Sequence, residues 1–573
     1  MASVYGENIR DVDVSKIPKP WLKAYDSGVK PHIDYPVIPL YKLYENNAKK
    51  FPDKVAFDFY GTKITFKQLD EASKKIVSFL YDMGVEKGDR VVVGLPNTPH
   101  YPIVANAILR AGGIMVQCNP IYPPRELKHV VKDSGAELMF AIENMYPNLK
   151  PLLEEGLFKK LIICKIEDYL RFPLNALFKA FVKKKRFGEI KIEPRSEVMD
   201  YMDLMKYPKN DKTVEVDPKN DVAVFQYTGG TTGLPKGAML THFNLVANAH
   251  QVASWDPKAG PNDVYLGALP AFHSYGFTMA NAGVLLGGKI VLIPDPREFS
   301  IYLKLIQKHK VTTFPGVPTM YIALLQDPKL TKYDLSSIRA CISGAAPLPV
   351  EVKKKWEEVT GGKLVEGYGL SEASPVTHCN PLYGLNKAGS IGIPMPDTLA
   401  VVVDDDGNIL PPGQVGELAI YGPQVMKGYW MMENETAKVL INGWLLTGDM
   451  AKMDEDGYFY IVDRKKDLII AGGYNIYPRE VEEVLYEHPA VLEAAVIGVP
   501  DPYRGETVKA FIQLKPEYKG KVKEEDILNF CRDKLAPYKV PKLIEFRDEL
   551  PKSLVGKVLR RALKEEELKK RGG

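Results

Sequence analysis

Positions 227–237 read Y-T-G-G-T-T-G-L-P-K-G, the stretch of the chain best equipped for chemistry. Small residues let a backbone approach a phosphate closely, and its N–H groups and threonine hydroxyls donate to phosphate oxygens. The apolar run 222–225 before it reads as a buried strand leading into a phosphate cradle. Two better-known loops are excluded. A Walker A loop needs Gly-Lys-Ser/Thr, whereas here Pro235 precedes Lys236 and Gly237 follows it. The spacing G-x-G-x-x-G is missing, so nicotinamide dinucleotide binding has no support. His273, in P-A-F-H-S-Y-G-F, has no Gly-x-Ser-x-Gly elbow with it, which removes support for a serine hydrolase. Asp404, Asp405, Asp406 and Gly407 lack the alternate spacing and closing glutamate of a calcium loop.

With these residues in view, the chain resembles the adenylate-forming superfamily of acyl-CoA synthetases, luciferases and peptide-synthetase adenylation domains. The likeness continues in order through 64–72, 269–277, 366–374, 416–429, 444–449, 458–478 and 551–561, spanning roughly 39–563. The stretches E-G-Y-G-L-S-E, G-P-Q-V-M-K-G-Y-W, V-D-R-K-K-D and K-V-P-K-L-I-E-F-R-D-E-L-P-K-S-L-V-G-K-V-L-R-R are most similar to long-chain fatty-acid–CoA ligases.

The resemblance implies a division of labour. Thr228, Gly229, Gly230, Thr231, Thr232, Gly233 and Lys236 would hold phosphate. Glu372 would bind Mg²⁺, which prefers hard oxygen ligands, and the Thr231 hydroxyl would face the same metal and phosphate. Tyr368 would stack on adenine, within a nucleotide pocket that includes Glu366, Gly367, Gly369, Ser371 and Ile461. Asp449 would accept ribose hydroxyl protons, and Arg464 would reach ribose or phosphate. Gly344, Ala345 and Ala346 would border the acyl pocket, with His273 nearby shaping or gating it. Lys557 matches the catalytic lysine, whose ammonium bridges the substrate carboxylate and the α-phosphate. Lys466 matches a hinge, and Gly472 and Gly473 would leave a coenzyme A tunnel open. Two positions depart from the common pattern: Gly229 stands where many relatives have serine, and Ser371 where threonine is frequent.

The implied activity is formation of a fatty acyl-CoA from fatty acid, ATP and coenzyme A through acyl-AMP. Two alternatives stay open: an acyl-AMP ligase loading a carrier protein, and a fatty-acid-binding or uptake protein without catalysis. Too few residues follow Lys557 for a fused carrier domain.

Elements of two textures must position these residues. Strand-like runs at 90–94, 113–116, 289–293 and 311–314 alternate with helical spacing at 101–111 and 302–309. That alternation predicts layered α/β subdomains with mostly parallel strands. After about Asp397 the chain turns β-rich, with strands at 399–403 and 417–421 and turn signals at Asp406-Gly407 and Asp456-Gly457. A smaller α+β unit is expected next, with a helix at 480–488, a strand at 494–498 and a helix at 524–534. The expected division is an N-terminal domain of 1–463 and a mobile C-terminal domain of 464–573, an ordinary domain size.

At 573 residues the chain exceeds one hydrophobic core. A net charge of +4 and 26% charged residues call for no nucleic-acid partner. Cys118, Cys164, Cys341, Cys379 and Cys531 lie far apart without C-x-x-C, which predicts free buried thiols in a reducing compartment. The first eighteen residues carry Glu7, Asp11 and Asp13 and do not read as a secretory signal, so a cytoplasmic enzyme is expected. The stretch 169–186 combines apolar residues with a basic cluster. It has two readings, peripheral contact with an anionic membrane or a helix covering the core. A homodimer is compatible with all of this.

Overall fold

Two threonines set the entry of two long helices. Thr65 Oγ1 accepts from Gln68 N at 3.1 Å while Gln68 Oε1 accepts from Thr65 N at 3.0 Å, opening the helix Phe66–Asp82. Thr241 and Asn244 repeat the reciprocal pair at 3.1 and 2.9 Å ahead of helix His242–Trp255. Each box satisfies two backbone donors that a helix start leaves orphaned. The second follows directly on strand Lys236–Thr241, so the chain leaving that strand is pinned within one turn.

The computed structural model describes residues 4–228, 235–471, 474–553 and 558–571. They form two units. The larger comprises Trp21–Leu399 and Tyr421–Gly443; the smaller comprises Met1–Pro20, Ala400–Ile420 and Trp444–Gly573.

The larger unit holds two mixed sheets. In the first, the neighbouring strands Lys363–Gly369, Ala340–Ser343, Thr313–Gly316, Val264–Gly267, Lys289–Leu292 and Val55–Phe59 are parallel, with antiparallel strands at both ends. In the second, Val222–Thr228, Ile114–Gln117, Arg90–Gly94, Leu138–Ile142, Lys160–Cys164 and Val198–Asp200 are parallel. Antiparallel Lys236–Thr241 and Gly428–Tyr429 extend its other edge. Every residue of helix His100–Arg110 is buried, as a helix enclosed on all sides requires. This is the expected α/β layering. Several expected edges moved by one or two residues, and 311–314 became Thr313–Gly316.

In the smaller unit, Leu399–Val403, Gly416–Tyr421, Trp444–Met453 and Phe459–Arg464 lie side by side in one sheet. A second sheet runs Tyr474–Ile476, Ile469–Ala471, Gly505–Leu514 and Val491–Asp501, with Leu543–Phe546 parallel to Gly505–Leu514. Ile469, Val481, Leu485, Val496, Ile512 and Ile527 form the centre of its core, under helices Pro478–Glu487 and Glu524–Arg532. The strand expected at 494–498 is the middle of a longer one. All five cysteines are buried and free.

Candidate active site

Antiparallel strands Val222–Thr228 and Lys236–Thr241 flank the stretch expected to hold phosphate, and their last pair is Thr228 with Lys236. Gly229, Gly230, Thr231, Thr232 and Gly233 lie outside the described residues. The frame is fixed from several sides. Tyr227 donates its hydroxyl to Asp133 Oδ2 at 2.6 Å, and Trp430 Nε1 donates to Asp133 O at 3.0 Å. His129 Nε2 lies 2.7 Å from Pro235 O, and Trp430 N donates to Gly237 O at 2.8 Å.

Lys236 turns its ammonium toward the Glu435 carboxylate and lies 5.1 Å from the Tyr429 ring centre. Lys236 and Lys438 together hold the Glu435 carboxyl down to about 2. An incoming phosphate would therefore compete with Glu435 for this lysine. Tyr429 donates its hydroxyl to Glu372 Oε1 at 2.8 Å, and Met426 N donates to Glu372 O, also at 2.8 Å. Burial, then the neighbouring Glu372 charge, raises the Tyr429 phenol well above its ordinary value, so it stays a donor. Glu372 is half-buried, and its Oε2 makes no hydrogen bond among the described residues. Tyr429 and Glu435 were not picked out individually from sequence. Tyr429 stands inside the quoted stretch G-P-Q-V-M-K-G-Y-W, which was the available signal.

Strand Lys363–Gly369 delivers the next group. Glu366 is buried, and its Oε2 accepts from Leu348 N at 3.2 Å, tying down the loop that carries Gly344, Ala345 and Ala346. Ala345 sits at φ +67, and a Cβ on Gly344 would come within 3.0 Å of the Tyr275 ring. Gly367 pairs with Cys379 and Tyr368 with His378; the Tyr368 ring meets that of His378 edge-on at 6.0 Å. A Cβ on Gly369 would lie 2.2 Å from Pro375 O, so only glycine fits. Ser371 Oγ is 3.2 Å from Ser274 Oγ, which joins this segment to the residue after His273. His273 caps helix Ser274–Leu285, its Nδ1 accepting from Tyr275 N at 3.3 Å. Ahead of it, Ala271 N donates to Asn97 Oδ1 at 2.7 Å and Tyr101 donates to Ala271 O at 2.7 Å. In this unit the structure thus brings Lys236, Glu372 and Tyr429 together, and joins Ser371 to Ser274.

A small, mainly apolar cavity lies between helices His242–Trp255 and Ser274–Leu285 and the first sheet. Val252, Trp255, Tyr265, Met279, Ala282 and Ile342 line it, and Ile342 is two residues before Gly344.

The smaller unit carries a second group. Asp449 and Arg464 are directly paired across strands, with Arg464 Nε 3.5 Å from Asp449 Oδ1; Ile461 pairs with Ala451 nearby. Gly448 at φ +72 makes the bend before Asp449, and Gly448 N donates to Glu417 Oε1 at 2.9 Å. Lys466 lies in the short helical turn Lys465–Asp467. Gly472, Gly473 and Lys557 lie outside the described residues. The flanks of Lys557 are described. Lys552 and Val558 form a bridge, and Arg560 pairs with Asp463 at 2.9 Å and Glu482 at 2.6 Å. Burial alone would lower the Arg560 guanidinium, but these carboxylates outweigh it and hold it above its usual value.

Comparison with known proteins places the whole chain. A family model described as AMP-binding enzyme matches residues 44–430, and one described as AMP-binding enzyme C-terminal domain matches 480–557. A long-chain-fatty-acid–CoA ligase of Bacillus subtilis is 50% identical over 96% of this chain and 98% of its own length. An Escherichia coli protein of the same name is 40% identical over 96% and 98%. The crystal structure of ATP-bound MatB from Rhodopseudomonas palustris covers 92% of this chain and 99% of its own, at 30% identity and a TM-score of 0.81. Two family models and relatives matched along nearly the whole length lead to one conclusion: the chain belongs to the AMP-binding enzyme family.

Proposed function

We propose that this chain is an ATP-dependent, AMP-forming fatty acid–CoA ligase. The observation that carries the reading is its 50% identity, over 96% of its length, to a protein named long-chain-fatty-acid–CoA ligase. A carboxylate oxygen attacks the α-phosphorus of ATP and pyrophosphate leaves. The coenzyme A sulfur then attacks the acyl carbon, and AMP leaves with the former carboxylate oxygen.

The first step brings two anions together, so cations and fixed donors must surround them. The proposed donors are Thr228, Thr231, Thr232 and Lys236 on phosphate, with Asp449 and Arg464 at the ribose. Lys557 is the proposed bridge between carboxylate and α-phosphate, and Tyr368 the proposed face for adenine. A C-terminal domain of 464–573 that turns at Lys466, with Gly472 and Gly473 beside coenzyme A, belongs to the same proposal.

The residues fit Mg²⁺. Glu372 offers one half-exposed carboxylate, and no group of three or more acidic, histidine or cysteine side chains that could hold a metal ion occurs among the described residues. A single carboxylate suits an ion that keeps several waters and takes other ligands from substrate phosphates. Bound there, it would neutralise charge on the ATP phosphates. The proposed border of the acyl pocket is Gly344, Ala345 and Ala346, with His273 nearby.

A panel of acids from acetate to oleate, assayed for acid-dependent pyrophosphate release and thioester formation, tests this reading. The expected result is the highest kcat/KM for medium or long chains, with AMP as co-product. Pyrophosphate release without thioester, restored by a carrier protein, would replace coenzyme A as acceptor. No acid-dependent pyrophosphate with any acid would leave a binding protein.

A further inference from the structure

Lys236 ends the stretch proposed to hold phosphate, and its ammonium is already engaged by the Glu435 carboxylate. The backbone around Glu435 puts it there. Glu435 belongs to helix Glu433–Val439, whose Thr436 hydroxyl accepts from Tyr429 N at 2.9 Å and donates to Met432 O, also at 2.9 Å. Strand Gly428–Tyr429 in turn pairs with Lys236–Thr241, with Tyr429 opposite Ala238. Two features set this contact apart from an ordinary surface ion pair. The other Glu435 oxygen, Oε1, meets a second cation, Lys438 Nζ, at 2.5 Å, so the carboxylate stays compensated when Lys236 leaves. The Tyr429 ring that lies against the Lys236 ammonium carries the hydroxyl that holds Glu372, which links this lysine to the carboxylate proposed for Mg²⁺. The Lys236 and Glu435 side chains are 30% and 35% exposed, so a dissolved polyphosphate can reach them. A lysine ammonium rides on a flexible four-carbon stem, so changing partners needs no backbone movement. Lys236, then Lys438, holds the Glu435 carboxyl down to about 2, which keeps it charged at neutral pH.

We propose that Glu435 is a displaceable counter-ion for Lys236: it holds the ammonium in the free protein, yields it to the polyphosphate of ATP, and takes it back as pyrophosphate leaves. The inference rests on the reading of Lys236 as a phosphate ligand. Glu435 touches no reacting atom and acts through Lys236, so it is a positioning residue. The exchange works in both directions, weakening the capture of ATP and favouring the departure of pyrophosphate. A carboxylate that only stabilised the fold would behave differently, because its loss would loosen the site and weaken anion binding. Loss of a competing counter-ion strengthens it. The two roles therefore differ in sign.

Calorimetric titration of the full chain with pyrophosphate, and separately with ATP, in excess Mg²⁺ and without fatty acid or coenzyme A, reads the exchange directly. Glu435→Gln keeps the shape and removes the charge. It should tighten pyrophosphate binding about threefold, the scale of a partly exposed ion pair, and lower the KM for ATP by a similar factor while kcat does not rise. Lys438→Gln takes the second cation from the carboxylate, leaves it more firmly on Lys236, and should weaken pyrophosphate binding about twofold. This exposed position carries the test should Glu435→Gln fail to fold. Glu433→Gln removes an equal charge from an exposed site two residues away and should shift the affinity far less. On a Lys236→Met background Glu435→Gln should add nothing, as a double-mutant cycle requires of groups that act through one contact. Unchanged or weaker pyrophosphate binding in folded Glu435→Gln overturns the proposal. So does tighter binding in Lys438→Gln, an equal gain in Glu433→Gln, or a full gain on the Lys236→Met background. A parent that binds ATP and pyrophosphate without these differences loses the counter-ion alone. A parent that binds neither loses the phosphate-site reading with it.

Discussion

At Glu372 the sequence identified the carboxylate but not what holds it. The motif E-G-Y-G-L-S-E pointed to the glutamate directly. The Tyr429 hydroxyl that fixes its Oε1 lies 57 positions away, and Glu435 lies 199 positions from the Lys236 it neutralises. Separations of that size are closed only by the fold. Tyr429→Phe removes one hydrogen bond to a charged acceptor and leaves the ring. It should cost on the order of 1 kcal/mol of stability and raise the Mg²⁺ concentration for half-maximal pyrophosphate release several-fold. An unchanged Mg²⁺ titration would separate Glu372 from the metal. Lys557→Ala tests the assignment made to that lysine from its motif alone. Adenylate formation should fall by at least about a thousandfold, whereas thioester formation from supplied acyl-AMP should persist. Equal losses in both half-reactions would contradict a role confined to the first.

At the scale of elements, periodic segments were legible and junctions were not. Strand Arg90–Gly94 and helix Tyr302–His309 coincide with their expected bounds because clean turn signals or a full apolar stripe delimit them. Strand Thr313–Gly316 ran past its expected end. Pro315 has no backbone donor and Gly316 no side chain, yet both are buried and in register with Ile342 and Ser343. Packing there overrides local preference. Strand Lys236–Thr241 went unseen because K-G-A-M-L-T has little strand character of its own; pairing with Val222–Thr228 makes it. The site also depends on one close approach between elements. Gly369 ends its strand with Pro375 O where a Cβ would stand, 2.2 Å away. Gly369→Ala must push Pro375 aside and should destabilise the larger unit by about 3 kcal/mol, read as a lower melting temperature. A melting temperature equal to that of the parent would show that the turn after Gly369 yields without cost.

Over the whole molecule, burial couples stability to pH. His242 is buried with Nδ1 accepting from Leu40 N at 3.1 Å, and burial pushes its imidazole down to about 4; burial alone pushes His378 to about 3. Both folded values lie below the ordinary 6.5, so the unfolded chain takes up protons first as the pH falls. The stabilisation is complete above about pH 6.5 and is lost progressively toward pH 4, at about 2 kcal/mol per histidine by pH 5. Urea titrations at pH 7.5 and pH 5 should record that loss, and His242→Gln should remove about 2 kcal/mol of the difference. An identical pH dependence in the variant would mean that His242 does not titrate across this range. The central claim concerns chemistry rather than stability, and oxygen bookkeeping tests it most directly. A fatty acid labelled with ¹⁸O in its carboxylate is incubated with protein, ATP, Mg²⁺ and coenzyme A, and the products are analysed by mass spectrometry. If the acid is activated as acyl-AMP, one label appears in AMP and none in pyrophosphate. Label in inorganic phosphate with release of ADP, or thioester formed with unlabelled AMP, would contradict the account.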